Sequence, residues 1–213
     1  MKKILLTTAA LVTISTNAFA ENKSCCHDKA KHSSTYVRMD VLGQKFHKSS
    51  VNGITYKNQN YSYGADFGLG YHLTEKIRAE LIYNHNFITR FKANASKGKA
   101  DIKAAFARIM LDVISFEKAK FFIGAGAGFA RTAYKLQTPT AKYEAKNKNN
   151  FAYSFHAGAA MDLVEGVMLE ASWGMRNYGA THALTDTKSA NKLANSKMKL
   201  RSQVVALGLR FDV

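Results

Sequence analysis

Along YSYGADFGLGYHL, residues 61–73, apolar side chains, most of them large, hold every odd position and small or polar ones every even position. Tyr61, Tyr63, Ala65, Phe67, Leu69, Tyr71 and Leu73 make one face, and Ser62, Gly64, Asp66, Gly68, Gly70 and His72 the other. Strict alternation over that length predicts a β-strand with two unlike faces. The pattern recurs. TYVRMDVLGQ sets Val37, Met39 and Val41 against Arg38, Asp40 and Leu42, and KIRAELIYN sets Ile77, Ala79, Leu81 and Tyr83 against Arg78, Glu80, Ile82 and Asn84. FFIGAGAGFA sets Phe121, Ile123 and Phe129 against Gly124, Gly126 and Gly128. NFAYSFHAGAAMDL, VMLEASWGMRNY and QVVALGLRFDV repeat it, the last with Val205, Leu207, Leu209, Phe211 and Val213 on one face. The segment from about Ile102 to Ser115 is the least regular. Ile109, Leu111 and Val113 alternate with Arg108, Met110 and Asp112, but KAAFA before them is ambiguous, and a helix is the competing reading there.

The connections alternate in length. TEK (74–76), FEKAK (116–120) and VEG (164–166) are tight, whereas the segments near 47–60, 88–100, 136–149 and 179–197 are long and polar. The strands run about ten to thirteen residues, which suits a tilted bilayer crossing of about 9–11 residues. Short turns on one side and long connections on the other are the mark of an outer-membrane barrel. The expected fold is therefore all-β: an eight-stranded antiparallel transmembrane β-barrel with four long extracellular loops and both strand termini on the periplasmic side. Large apolar residues should then face lipid, with Tyr and Trp near the interfaces, and small and polar residues the lumen. Arg38, Asp40, Asp66, Arg78, Glu80, Arg108, Asp112, Glu170, Arg176, Arg210 and Asp212 fall mostly on the lumen register, where they should pair. A soluble β-sandwich would need an apolar interior, yet these strands put their charges on the face opposite the aromatics.

MKKILLTTAALVTISTNAFA reads as a secretory signal peptide: two lysines, an apolar run too short to span, and Ala18-Phe19-Ala20 as a cleavage site. The expected organisation is a signal peptide over 1–20, a periplasmic tail over 21–34 and the barrel over 35–213. Only Cys25 and Cys26 occur, adjacent and in the tail, so they staple no fold. With His27 and His32 they offer thiophilic-metal donors, but no second ligand pair accompanies them, and an unstructured tail is the plainer reading.

Formal net charge is +16, or +14 once Lys2 and Lys3 are removed. Such a surplus attracts nucleic acid, acidic glycans, anionic lipids or acidic protein patches, and export argues against nucleic acid. The long connections, with flanking Lys135 and Lys199, hold fourteen Lys and Arg against Glu144 and Asp186. Part of that excess is solvation and bridging of lipopolysaccharide phosphates. The sharper reading is an electrostatic footprint for a sulfated glycan or an acidic host-protein segment. Its candidate partner-binding residues are Lys92, Lys97, Lys99, Lys142, Tyr143, Lys146, Lys148, Lys192 and Lys197.

Catalysis has little support. His72 and His156 share the lumen register with Asp66 and Ser154, but nothing in the spacing fixes a nucleophile against a base. Gly124, Gly126 and Gly128 resemble a phosphate loop only superficially, since no helix and no Lys-Ser/Thr follows. No cofactor, metal site or active site is expected. A narrow pore or a purely structural barrel remains the alternative to a binding role, although eight strands leave little open lumen.

FFIGAGAGFARTAY, NKNNFAYSFHAGAAMDLVEGVMLEASWGMRNYG and the terminal VVALGLRFDV resemble the small outer-membrane adhesins of the rickettsial group, within the opacity-type eight-stranded barrel superfamily. The resemblance covers about residues 35–213 and is closest from Phe121 onward. It implies a bacterial outer-membrane adhesin that contacts host cells and captures host serum protein, vitronectin in the known members. It brings no catalytic residues. The ending, with Gly208, Phe211 and Val213, also resembles the signal read by the barrel assembly machinery, departing from it in closing on Val rather than Phe.

Overall fold

A computed structural model describes residues 34–47, 49–51, 54–58, 61–93, 96–116, 118–138, 141–182, 185–186 and 197–213. The expected signal peptide (1–20), Cys25, Cys26, His27, His32 and Lys192 lie outside the described residues. Eight strands dominate: β1 (Thr35–Phe46), β2 (Ser62–His72), β3 (Ile77–Ala93) and β4 (Ser96–Ser115). Then come β5 (Ala119–Gln137), β6 (Lys142–Val164), β7 (Val167–Ala180) and β8 (Lys199–Asp212). Each pairs antiparallel with its chain neighbours, and β8 returns to β1, so the sheet closes on itself. Closure leaves no stave edge for lipid to meet, which is the condition for spanning a bilayer with strands. Residues 102–115 lie within β4, so the helix reading fails there. A helix would have left β3 and β5 without their shared partner.

The three tight turns and both ends of the sheet share one rim. Val213 N–H donates to the Thr35 carbonyl at 3.0 Å, and Asp212 N–H to that of Gly166 at 2.9 Å. Gly166, at φ 75°, permits the two-residue reversal between Val164 and Val167.

Facing follows the alternation. Leu81, Phe129 and Trp173 are 66%, 70% and 51% exposed on the outside, a surface that suits lipid. Arg78, Asp66 and Asn84 are wholly buried inside. Apart from exposed Phe87 at the irregularity in β3, the apolar band of the outer face ends upward at Lys45, His85, Lys103, Arg131, Asn149, Asn177 and Gln203, which marks the extracellular border of the membrane. Glycines make room within. A Cβ at Gly126 would lie 2.6 Å from Arg108 Cγ, and one at Gly128 would collide with the Ala105 carbonyl. The GAGAG run is thus strand, packed against β4, and not a phosphate loop.

Two features depart from the sequence expectation. The segments 88–100 and 136–149 are mostly strand: β3 runs to Ala93, β4 starts at Ser96, and β5 and β6 reach Gln137 and Lys142. Strands β3–β6 have 17, 20, 19 and 23 residues, against 11–14 in the other four. One wall therefore stands well above the membrane. Polar sequence is no bar to strand there: β4 and β5 are paired on both sides, and the outer flanks of β3 and β6 carry short pairings, residues 57–58 with 91–92 and residues 185–186 with 143–144.

The lumen, moreover, is not polar throughout. Its upper part is an apolar plug of Phe46, Ile102, Phe106, Tyr134, Leu136, Tyr178, Met198 and Leu200, with small alanines between them. The tall strands must bury something above the membrane, and there the inner face turns apolar while the outer face turns charged. That inversion is why KAAFA reads ambiguously: Ala104 and Phe106 point inward and Lys103 outward.

Candidate functional site

The outer face of the tall wall is built by period-two alternation that continues past the membrane border. In KGKADIK, Lys97, Lys99, Asp101 and Lys103 point outward while Gly98, Ala100 and Ile102 point in. Register then aligns such positions across four strands. Arg90, Lys99, Lys135 and Glu144 are directly opposed in one row. Lys92, Lys97, Gln137 and Lys142 form the next row out. Neighbouring strands lie about 4.8 Å apart, inside the screening length of about 8 Å at physiological ionic strength. The cations of a row therefore act as one positive field. A cleft of about 610 Å³ is set among them, lined by Arg90, Lys97, Lys99, Lys135, Lys142, Tyr143 and Glu144. Lys135 Nζ stands 2.9 Å from Glu144 Oε1, but both side chains are at least half exposed, so this pair contributes at most about 1 kcal/mol. It leaves the cleft strongly basic.

Of the residues singled out from sequence, Lys97, Lys99, Lys142 and Tyr143 come together here. Tyr143 is on the inner register, opposite Leu136, with its ring packed partly on the plug, so it is anchored as well as lining the cleft. Lys92 joins by register, opposite Lys97. Lys146 is within β6, and nothing of its side chain is described. Lys148 stands opposite buried Thr132, half-buried and outside the cleft. Lys197 sits beside the start of β8, across the barrel from β4. Arg90 and Lys135 were not singled out; their signal was the same alternation, hidden by reading their segments as loop.

The lumen holds a different assembly. Glu170 of β7 meets Arg38 of β1 at 3.0 Å, Arg78 of β3 at 3.2 Å and Arg210 of β8 at 2.8 Å. Arg38 also reaches Asp40 and Glu80, and Arg78 reaches Asp112, at 2.9–3.0 Å. Higher up, Asp66 accepts from Arg176 at 2.5 Å, Arg108 at 3.3 Å and Asn84 at 2.6 Å. Asp40 is held by Arg38 of its own strand, but Glu80, Asp112, Glu170 and Asp66 are matched by arginines from other staves, an arrangement that closes a sheet. Ser154 Oγ and His156 Nε2 have no hydrogen-bond partner among the described residues, so the two do not form a nucleophile–base pair. His72 is half-buried, its ring 5.1 Å from that of Tyr36.

Comparison with known proteins gives the same architecture. Residues 6–211 match the family model described as outer membrane protein beta-barrel domain. A candidate adhesin of Rickettsia bellii (strain RML369-C) is 30% identical over 243 residues, covering all of both chains. Among solved structures, outer membrane protein AlkL in lipid bilayers matches with TM-score 0.59 at 17% identity, over 91% of this chain and 97% of that one. Neisserial surface protein A matches with TM-score 0.56 at 17% identity, over 85% and 98%. At that identity the solved structures speak for the fold alone.

Proposed function

Because the chain belongs to the outer membrane protein β-barrel domain family and resides in the bacterial outer membrane, we propose that its basic tall wall is an adhesive surface for anionic host ligands. The observation that carries this reading is the cross-strand alignment of Arg90, Lys99 and Lys135 in one row and of Lys92 and Lys97 in the next, which Gln137 and Lys142 continue. Directly opposed like charges cost a few tenths of a kcal/mol or more per pair. A wall that accumulates them above the membrane is better matched to a soluble polyanion than to its own stability. Sulfated glycans and acidic protein segments have that chemistry, and vitronectin, implied by the rickettsial resemblance, is the protein to test first. The naming of the relatives as candidate adhesins supports the same reading.

The wider organisation follows from it. Residues 1–20 direct export, 21–34 lie in the periplasm, and the assembly machinery reads the ending with Phe211 and Val213 facing outward. The wall acts by binding and not by catalysis, and the filled upper lumen favours a closed barrel over a pore.

The test uses barrel refolded in detergent without lipopolysaccharide, passed over immobilised heparin and immobilised vitronectin. Combined Lys97→Gln, Lys99→Gln and Lys142→Gln should slow association about tenfold or more, with dissociation changing less. Raising salt to about 0.5 M should do the same to the unaltered protein. Capture indifferent to both salt and these lysines would remove the electrostatic mechanism.

A further inference from the structure

A third cationic row lies lower on the same wall, at the membrane border. His85, Lys103, Arg131 and Asn149 are directly opposed across β3–β6, all on the outer face. Lys103 and Arg131 are exposed, and among the described residues neither has a carboxylate within ion-pair distance. Asp101 is the outward residue between this row and the one with Lys99. With Lys135 paired to Glu144, Asp101 alone stands among Arg90, Lys99, Lys103 and Arg131, and opposed like charges repel. The next outward residues below the row, Ala105 and Phe129, already belong to the lipid-facing band. An anion bridging Lys103 and Arg131 must therefore sit at the depth of outer-leaflet headgroups.

Below that row the wall is hollow. A groove of about 730 Å³ has Ala79, Ala107, Ala125 and Ala127 in its floor and Leu81 and Phe155 at its sides. Ala107 is four residues from Lys103 along β4, about 13 Å, within the outer half of a hydrocarbon core about 30 Å thick. Ala105 lies between, so the path from the cations to the groove passes a small side chain. A cationic border and an apolar hollow on the same strands match a molecule with phosphate at its head and several chains below. We infer that Lys103, Arg131 and the alanine-floored groove form a site for one phosphorylated, multiply acylated glycolipid of the outer leaflet, the lipid A class. The phosphate bridges the two cations, and an acyl chain lies in the groove. This site is distinct from the adhesive rows, which stand about 13 Å higher along β4, from Lys103 to Lys99.

Native mass spectrometry on barrel refolded from denatured protein tests this, with bis-phosphorylated lipid A, its dephosphorylated form and phosphatidylglycerol as probes. The unaltered barrel should retain a single lipid A and lose it readily when the phosphates are absent. Lys103→Gln with Arg131→Gln should weaken retention about tenfold or more, and Ala107→Trp, which fills the hollow, should weaken it with the cations intact. Lys45→Gln, on β1 across the barrel, should leave retention unchanged. Heat-dependent gel mobility confirms that each variant is folded. Equal retention by the double variant, or phosphatidylglycerol held as firmly as lipid A, would overturn the site in favour of an unspecific anionic lipid shell. Retention lost in the Lys45→Gln barrel as well would overturn it too.

Discussion

Leu81 and Ser62 are in adjacent strands of one sheet but meet opposite surroundings. Leu81 is 66% exposed on the outer band, and Ser62, 5% exposed, shares a 2.5 Å hydrogen bond with Thr89 inside. Leu81→Arg would place a charge against hydrocarbon near the midplane and should cost about 2–4 kcal/mol. Ser62→Ala removes one small hydroxyl from a packed lumen and should cost about 1 kcal/mol. Measured urea midpoints in lipid vesicles should therefore fall clearly for the first and slightly for the second; equal losses would mean the facing is reversed. Facing was legible residue by residue, because the sheet's period is two and each apolar residue on the wrong parity would meet charge. What the lumen charges touch was not legible. Alternation puts Glu170 inside, but only closure brings Arg38, Arg78 and Arg210 onto it from three other staves.

Among the elements, β4 carries the clearest lesson. Its lower half alternates apolar-out and polar-in, and its upper half inverts, with Lys97, Lys99 and Lys103 outside and Ala100, Ile102 and Ala104 inside. Hydropathy alone sees a polar stretch and suggests loop, while the period of two persists through the inversion. The border of the membrane thus hid the strand, since it reverses which face is apolar without changing the backbone. The same holds for β5 and β6, where Lys135 and Glu144 face out and Leu136 and Ala145 in. Strand backbone in a closed ladder resists proteases because cleavage requires local unfolding. Trypsin should therefore spare the bonds after Lys97, Lys99 and Lys135 in the folded barrel and cut them after boiling in SDS. Prompt cleavage at these lysines in the folded protein, seen by mass spectrometry of a brief digest, would return both segments to loop.

For the whole molecule, stability depends on keeping a ring shut, and the charges inside and outside serve opposite ends. The outer cations repel one another and leave the wall open to partners, whereas the inner ones are tied to carboxylates across the lumen. Glu170 is the centre of the lower cluster, holding three arginines from β1, β3 and β8 while itself on β7. Removing it would leave the buried Arg210 without its close counterion, while Arg38 keeps Asp40 and Glu80 and Arg78 keeps Asp112, a loss of about 3–5 kcal/mol for a buried pair broken on one side. The intact barrel should resist SDS until boiled and migrate faster unheated than heated. Glu170→Gln keeps the side chain's size but not its charge, so the temperature at which the fast form disappears should drop. Lys99→Gln, on the outer face between Arg90 and Lys135, should leave that temperature unchanged or raise it slightly, since it relieves repulsion among the wall's cations. Should both substitutions shift the transition alike, the lumen network would have no special part in closure, and the stability of the ring would have to come from its hydrogen-bonded ladder and apolar plug.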